Sequence, residues 1–513
     1  MPEDITAKLC KEGWTVQEFT IDTVETYNDF YYFHPFVRQA IFNKAGNTGM
    51  EYLARNDYNY LEVEYIYDDQ SRNNCITTEV RSIDLHLFDN QIGLLTVTTE
   101  KCIDDNETAF PDLLRYNDIS RRVYPPFLNS GKINTDKVKC DAKLLPSRMT
   151  LFHETDNSKT INECFGHVHL DSGNDIEYLS EIVRKLLYPF KLKESNRATE
   201  IEIYFTPFTD DRMFVVAYYA EKKVIDDLTK RCCDSYAYEK HVDWYRYLFV
   251  DGNSPSIANP SLMKELLRKH TYNRWVNSGS LYGISRYSLV MMGDNSDFCR
   301  NVLKQHMKSM YYQMALIVLF QRAMLLKFSD DIFDITKDSD FKNKPLDELQ
   351  KRASDLQGDF IKFINKYWFI EITPQEQGTE MYNQWMGLLN IDKLYQEVEK
   401  EIAELSRYVE GKIEFERNKI ESARNKIESD RNDRIEQVTI KAFWIAIIAL
   451  IITFWQIYAP GLDSFDPLYT YSGIKQFLTE FKLLNSFLLL LLICIPVYIF
   501  IPKLIRELLN TKN

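Results

Sequence analysis

Phe443-Trp444-Ile445-Ala446-Ile447-Ile448-Ala449-Leu450-Ile451-Ile452-Thr453-Phe454-Trp455-Gln456-Ile457-Tyr458 carries no charge, and the polar segment Ile391 to Ile440 runs into it without a proline. Hydrocarbon offers a peptide group no water, so such a run has to close its own hydrogen bonds as a helix, and about 20 residues cross a bilayer core. A second apolar run, Leu483 to Ile501, has Asn485 and Ser486 as uncharged polar interruptions and contains no charge. That lack of charge favours two C-terminal membrane spans over a pair of buried core helices. Arg431, Arg434 and Lys441 precede the first span and Lys503, Arg506 and Lys512 follow the second. The loop between balances Lys475 and Lys482 against Asp463, Asp466 and Glu480, so the positive-inside rule predicts both termini in the cytoplasm. Trp444 at one end of the first span, with Trp455 and Tyr458 at the other, suits the headgroup layers.

On the first span Ala442, Ala446, Ala449, Thr453 and Gln456 recur at alternating steps of four and three, which puts every small or polar side chain on one stripe. Two uses fit that stripe: close packing against another helix, or lining a pore in a ring of subunits. A single chain with two spans cannot enclose a channel. Upstream, Arg417-Asn418-Lys419-Ile420-Glu421-Ser422 is echoed by Arg424-Asn425-Lys426-Ile427-Glu428-Ser429. Only Ile413, Ile420 and Ile427 repeat as apolar residues, one per heptad where a packed zipper needs two. The expectation over Ile391 to Ile440 is a solvated stalk helix with local charge pairs such as Glu421 and Arg424.

The remaining chain is long enough, within 513 residues of which 45% are hydrophobic, for two or three domains. Met1 to Cys10 lacks the basic and apolar regions of a signal peptide, and nine cysteines without Cys-x-x-Cys spacing point to reduced thiols, with one vicinal pair at Cys232 and Cys233. A net charge of −13 argues against a nucleic-acid polymer as the main ligand, though a small anion can still find a local basic pocket. From Trp14 to about Thr99 the pattern is mostly strand: Tyr60 to Tyr67 alternates, and Ile83 to Phe88 meets Leu94 to Thr98 as a hairpin. Asp112 to Val123 reads as a short helix stopped by Pro125-Pro126, ending on Arg121-Arg122, a candidate phosphate clamp or simply two solvated arginines. Further strands are expected at Ile201 to Phe205, Met213 to Tyr219 and Tyr245 to Val250, with a helix from Asp175 to Leu187.

No Gly-rich phosphate loop, Gly-x-Ser-x-Gly or His-Glu-x-x-His is present, and His167-Val168-His169 has no further ligand at metal spacing, so no catalytic residue, metal site or cofactor is assigned. Arg274 to Val290 alternates like a strand and gathers Arg274, Trp275, Tyr282, Arg286 and Tyr287, a mixture of guanidinium and aromatic faces that suits an adenine nucleotide as well as it suits a core. Asp297 to Phe328, Pro345 to Tyr367 and Pro374 to Asn390 then read as helices.

An α/β cytoplasmic domain, helices, one very long helix entering the membrane, a short loop and a second span with a basic tail together resemble the CorA superfamily of two-span divalent-cation channels. Phe363-Ile364-Asn365-Lys366-Tyr367-Trp368-Phe369, Glu371-Ile372-Thr373-Pro374-Gln375-Glu376-Gln377-Gly378, Tyr282-Gly283-Ile284-Ser285-Arg286-Tyr287-Ser288 and Arg121-Arg122 look like a bacterial CorA-like subgroup that includes effectors of type III CRISPR systems. CorA proper carries Gly-Met-Asn at the outer end of its first span; here the span ends Tyr458-Ala459-Pro460-Gly461, and the nearest echo, Tyr471-Ser472-Gly473-Ile474-Lys475, puts lysine where asparagine would stand. A ring of lysines repels magnesium, which favours the effector branch over a divalent-cation transporter.

The resulting expectation is an α+β cytoplasmic sensing domain with a mixed sheet over 1–295, a helical region over 296–390, a stalk helix over 391–440, spans over 441–459 and 483–502 around an external loop 460–482, and a cytoplasmic tail 503–513. The resemblance implies an assembly of identical subunits, pentameric as in the superfamily, in the bacterial inner membrane, opened by a nucleotide second messenger, S-adenosylmethionine joined to AMP. Arg121, Arg122, Arg274, Trp275, Tyr282 and Arg286 are the candidate ligand-binding residues; Ala442, Ala446, Ala449, Thr453, Gln456 and Lys475 are the candidate pore-lining ones. The alternatives are a magnesium-type transporter and a membrane-anchored sensor or scaffold that conducts nothing.

Overall fold

The computed structural model describes residues 2–42, 44, 49–67, 72–88, 92–101, 109–123, 138–139, 145–165, 167–168, 180–192, 204–205, 212–337 and 345–458, and residues 486, 490 and 494 beyond them. The external loop, Lys475, His169 and all but Ser486, Leu490 and Cys494 of the second apolar run therefore lie outside the described residues, as does the side chain of Gln456. Ser486, Leu490 and Cys494 are helical.

Two compact units divide the chain, 1–409 and 410–513. The first opens with α1 (Pro2–Lys11), β1 (Thr15–Val16), α2 (Val24–Tyr32), α3 (Pro35–Ile41), β2 (Met50–Arg55), β3 (Tyr58–Tyr67), β4 (Arg72–Phe88) and β5 (Gly93–Glu100). After α4 (Ala109–Ser120) come β6 (Val138–Lys139), β7 (Arg148–His153), β8 (Ile161–Cys164), β9 (His167–Val168), α5 (Glu181–Leu186), β10 (Lys191–Leu192) and β11 (Tyr204–Phe205).

The main sheet is antiparallel and runs β1-β2-β4-β3-β7-β8, with β5 on β4. Its strands obey the alternation that the sequence carries: Leu61, Val63 and Tyr65 of β3 are buried while Glu62 and Glu64 between them are not. The hairpin forms in the expected place, with Leu87 opposite Gly93 and Ile83 opposite Val97. Trp14, Leu53, Ile83, Leu85, Leu151 and Leu186 lie in the core beneath the sheet.

A second sheet follows. Its strands are β12 (Val215–Ala220), β15 (Thr271–Tyr272), β16 (Leu281–Ile284) and β17 (Ser288–Gly293), in the order β12-β17-β16-β15, with β12 parallel to β17 and the other pairs antiparallel. Between them in sequence lie α6 (Lys222–Thr229), the small hairpin β13 (Arg231–Cys232) and β14 (Ser235–Tyr236), α7 (Val242–Phe249) and α8 (Pro260–His270). β17 is buried at every position, as a strand with neighbours on both sides and covered faces should be.

Two sequence expectations are corrected here. Tyr245 to Val250 is not a strand but the last residues of α7 and its cap; its aromatic run has strand propensity, yet Trp244, Tyr245, Tyr247 and Leu248 are buried on one helical face and Arg246 pairs with Asp243 one turn back. Arg274 to Val290 is not one strand but a turn followed by the β16–β17 hairpin, because the Ser285 hydroxyl accepts the N–H groups of Tyr287 and Ser288 and folds the chain back.

The helices α9 (Lys304–Lys308) and α10 (Met310–Thr336) replace the single helix expected over Asp297 to Phe328; Ser309, at φ −124 and ψ −91, breaks it. The helices α11 (Leu346–Tyr367) and α12 (Glu376–Leu388) follow, and Asn390 at φ 54 separates them from α13 (Ile391–Tyr458), 68 residues without interruption.

The helix α13 changes character along its length. Ile391, Val398, Ile402, Leu405 and Val409 are buried, and Tyr395 stacks on Trp368 with ring centroids 4.3 Å apart. The stretch expected to be solvated from Ile391 onward is thus packed as far as Val409, because here the heptads carry two apolar residues each. Beyond it Ile420 and Ile427 are each 68% exposed, and an ion pair joins Glu416 to Lys419 at 3.7 Å. Among the described residues α13 is the one helix long and apolar enough to cross a membrane, and none of its most apolar window is buried.

Candidate functional site

Four chain segments meet at Tyr287, one of them the stretch into β12 that carries Arg212. The first is the end of α4, which delivers Arg121 and Arg122 side by side. The second is the end of α7, where Val250 adopts φ 56 and turns its carbonyl toward Arg121, whose Nη2 donates to it at 3.2 Å. The third is the β16–β17 turn itself, fastened to α7 because both Ser285 and Ser288 hydroxyls donate to the Leu248 carbonyl.

Around the Tyr287 ring lie the guanidinium groups of Arg121 and Arg212, 5.5 and 4.8 Å from its centroid. Arg122 pairs with Arg212 through an isolated backbone bridge and donates to Asp118, Nη2 to Oδ1 at 2.8 Å. Asp118 also stands 3.6 Å from Arg121 and accepts the Gly252 N–H on Oδ2 at 3.2 Å. That approach requires glycine: a Cβ at position 252 would stand 2.8 Å from the Asp118 Cβ. Arg121 and Arg122 are both buried, whereas Arg286, at the tip of the turn, is exposed, and among the described residues none bonds to its guanidinium. The cluster therefore sets the guanidinium groups of Arg121 and Arg212 at one aromatic ring, with Arg122 paired to Asp118 beside them and Arg286 next in sequence to the ring. The exposed planar donor fork of Arg286 suits phosphate or carboxylate.

The other candidates stand at the opposite end of β16. Arg274 donates to Glu376 and Glu380 of α12, both at 2.8 Å, and lies 5.5 Å from the Trp275 ring. Those carboxylates, Glu376 first, raise the guanidinium further above its ordinary value, while the Tyr272 hydroxyl and then Arg274 hold Glu380 below the usual carboxylate range. Arg274 is thus committed to tying α12 to the second sheet. Trp275 is 42% exposed and Tyr282 only 2%, its ring edge-on to Tyr272 and Tyr311 and its phenol pushed well up by burial.

The six residues expected to share a ligand are therefore divided. Arg121 and Arg122 are together on Asp118, and Arg286 adjoins the Tyr287 that Arg121 faces; Arg274 and Trp275 are together elsewhere; Tyr282 is a core residue between. β16 is buried along its whole length, so a small ligand does not touch both ends. Arg212 and Asp118 went unnoticed in the sequence, where Arg212 is one basic residue in an irregular stretch and carries no local signal.

On α13, Ala442, Ala446, Ala449 and Thr453 are all exposed on the isolated chain, and the Thr453 hydroxyl donates to the Ala449 carbonyl at 2.7 Å. A back-bond of this kind satisfies the hydroxyl within its own helix, without a partner helix. Among the described residues no group of three or more His, Cys, Asp or Glu side chains is placed to hold a metal ion. No family model, curated protein or solved structure matches this chain.

Proposed function

We propose that this chain is a CorA-like membrane channel effector of type III CRISPR antiviral defence, a ring of identical subunits in the bacterial inner membrane with two spans per chain and both termini cytoplasmic. In this reading S-adenosylmethionine joined to AMP binds the α/β unit and opens the pore. The observation that carries the membrane part is α13: one unbroken helix that begins inside a packed unit and ends as a bare apolar rod. A soluble protein has no use for such a surface, since leaving an Ile or Leu side chain in water forgoes roughly 1.5–3 kcal/mol of burial.

The identity of the signal rests on the family resemblance, and the exposed guanidinium of Arg286 supports an anionic ligand. In this reading the donor fork of Arg286, in the β16–β17 turn, takes the phosphate. To gate, the ligand has to bind one conformation more tightly than another, tenfold in population for each ~1.4 kcal/mol. Titration calorimetry on the full chain in detergent tests this. Saturable binding of S-adenosylmethionine-AMP, weakened at least tenfold by Arg286→Ala and untouched by Arg274→Ala, is expected. Equal affinity in wild type and Arg286→Ala overturns the assignment of the site.

A further inference from the structure

The hairpin β13–β14 has a two-residue loop, Cys233-Asp234, since Arg231 pairs with Tyr236 and Cys232 with Ser235. Two-residue hairpin loops of the favoured kinds need a positive φ at their first position, which glycine, asparagine or aspartate supplies at least cost. Here the position is held by Cys233, at φ 54. A side chain in that region costs on the order of 1 kcal/mol, and the residue that bears the cost is a thiol directly beside a second one. Both thiols are exposed. The Cys232 thiol donates to the Lys230 carbonyl at 3.9 Å.

We propose that Cys232 and Cys233 form a reversible vicinal dithiol–disulfide couple, oxidised by hydroperoxides. One thiolate attacks the peroxide and leaves as a sulfenic acid while the O–O bond breaks to release an alcohol, or water from hydrogen peroxide. The second thiol then attacks the sulfenic sulfur, and the S–S bond forms as water departs. Two thiols are oxidised by two electrons and one peroxide is reduced. A trans peptide fixes adjacent Cα atoms about 3.8 Å apart, closer than the roughly 4.4–6.8 Å of ordinary bridges. The bridge is therefore strained. Strained, exposed disulfides are the easily reduced kind that serve regulation rather than stability. The hairpin is also wired outward: the Tyr236 hydroxyl donates to Asn277 at 3.0 Å, in the turn that follows Arg274 and Trp275.

The test uses the full chain in detergent, treated with hydrogen peroxide, blocked with iodoacetamide and digested with trypsin. The peptide Cys232 to Lys240 is expected two hydrogens lighter than the dithiol and unblocked, and dithiothreitol should return two blockable thiols. In Cys232→Ser the remaining Cys233 should give a sulfenic acid that dimedone traps, and no bridge. Exposed single thiols such as Cys10 and Cys164 serve as internal controls and should stay blockable. Recovery of both Cys232 and Cys233 blocked after peroxide overturns the proposal, as does their appearance in bridges to other cysteines.

Discussion

The two halves of α13 are built from the same heptad grammar and meet opposite fates. From Ile391 to Val409 two apolar residues per heptad find Trp368, Phe360 and the helices around them, and the stripe is buried. From Ile413 to Ile427 one isoleucine per heptad remains, and Ile420 and Ile427 stand in the open. Helicity is shared, so helicity does not decide the environment; the number of apolar residues per turn does. The same contrast holds among the arginines. Arg121 and Arg122 are buried beside Asp118, while Arg286, one residue from the same tyrosine, is left in solvent.

The sharpest way to break the contrast among charges is Asp118→Ala. Removing the carboxylate takes the ion-pair partner from the buried Arg122 and the neighbouring charge from Arg121, and a loss of about 3–5 kcal/mol is expected in chemical unfolding. A loss under 1 kcal/mol would mean that water already reaches the cluster. On the helix itself, Ile402→Ala should cost ~2–5 kcal/mol through transfer and cavity terms, whereas Ile420→Ala in the monomeric chain should fall within about 0.5 kcal/mol. If the two substitutions cost the same, and the cost of Ile420→Ala grows with protein concentration, the bare half is covered in an assembly.

Acid should act on the packed unit. His86 is buried, stacked on Tyr52 with centroids 4.8 Å apart, and burial pushes it from 6.5 down to about 4. Below 6.5 the unfolded chain takes up a proton that the folded chain refuses, so stability is full above that pH and declines as the pH falls toward 4, by up to about 3 kcal/mol. Burial lowers His270 and His306 in the same direction. Unfolding midpoints against pH should slope accordingly, and His86→Gln should flatten the slope; an unchanged slope would assign the acid sensitivity to the other two. The smallest effect is reserved for Arg286→Ala, expected within about 0.5 kcal/mol of wild type in stability while ligand affinity falls.

Much of this was legible in advance where one physical rule acts alone. The alternation of Tyr60 to Tyr67 needs only a half-buried sheet, and Gly93 against Leu87 needs only a turn. The sequence misled where two rules compete. In Trp244 to Val250 aromatic strand propensity opposed a helical burial pattern, and tertiary packing decided for the helix. Arg121 and Arg122 could be found as a pair, but their burial could not, since it depends on Asp118 and on Gly252, more than a hundred residues downstream of both arginines. Arg274 and Arg286 looked like neighbours on one strand because the turn at Ser285 is set by a hydroxyl rather than by glycine or proline.

The measurement that bears most directly on the proposed channel is ion flux from liposomes holding the full chain. Tight vesicles that leak only when S-adenosylmethionine-AMP is added to the face bearing the α/β unit, and that fall silent in an Ala449→Leu variant that still assembles, are the predicted result. Leakage indifferent to the ligand, or unchanged by Ala449→Leu, would contradict a gated pore lined by the small-residue stripe of α13.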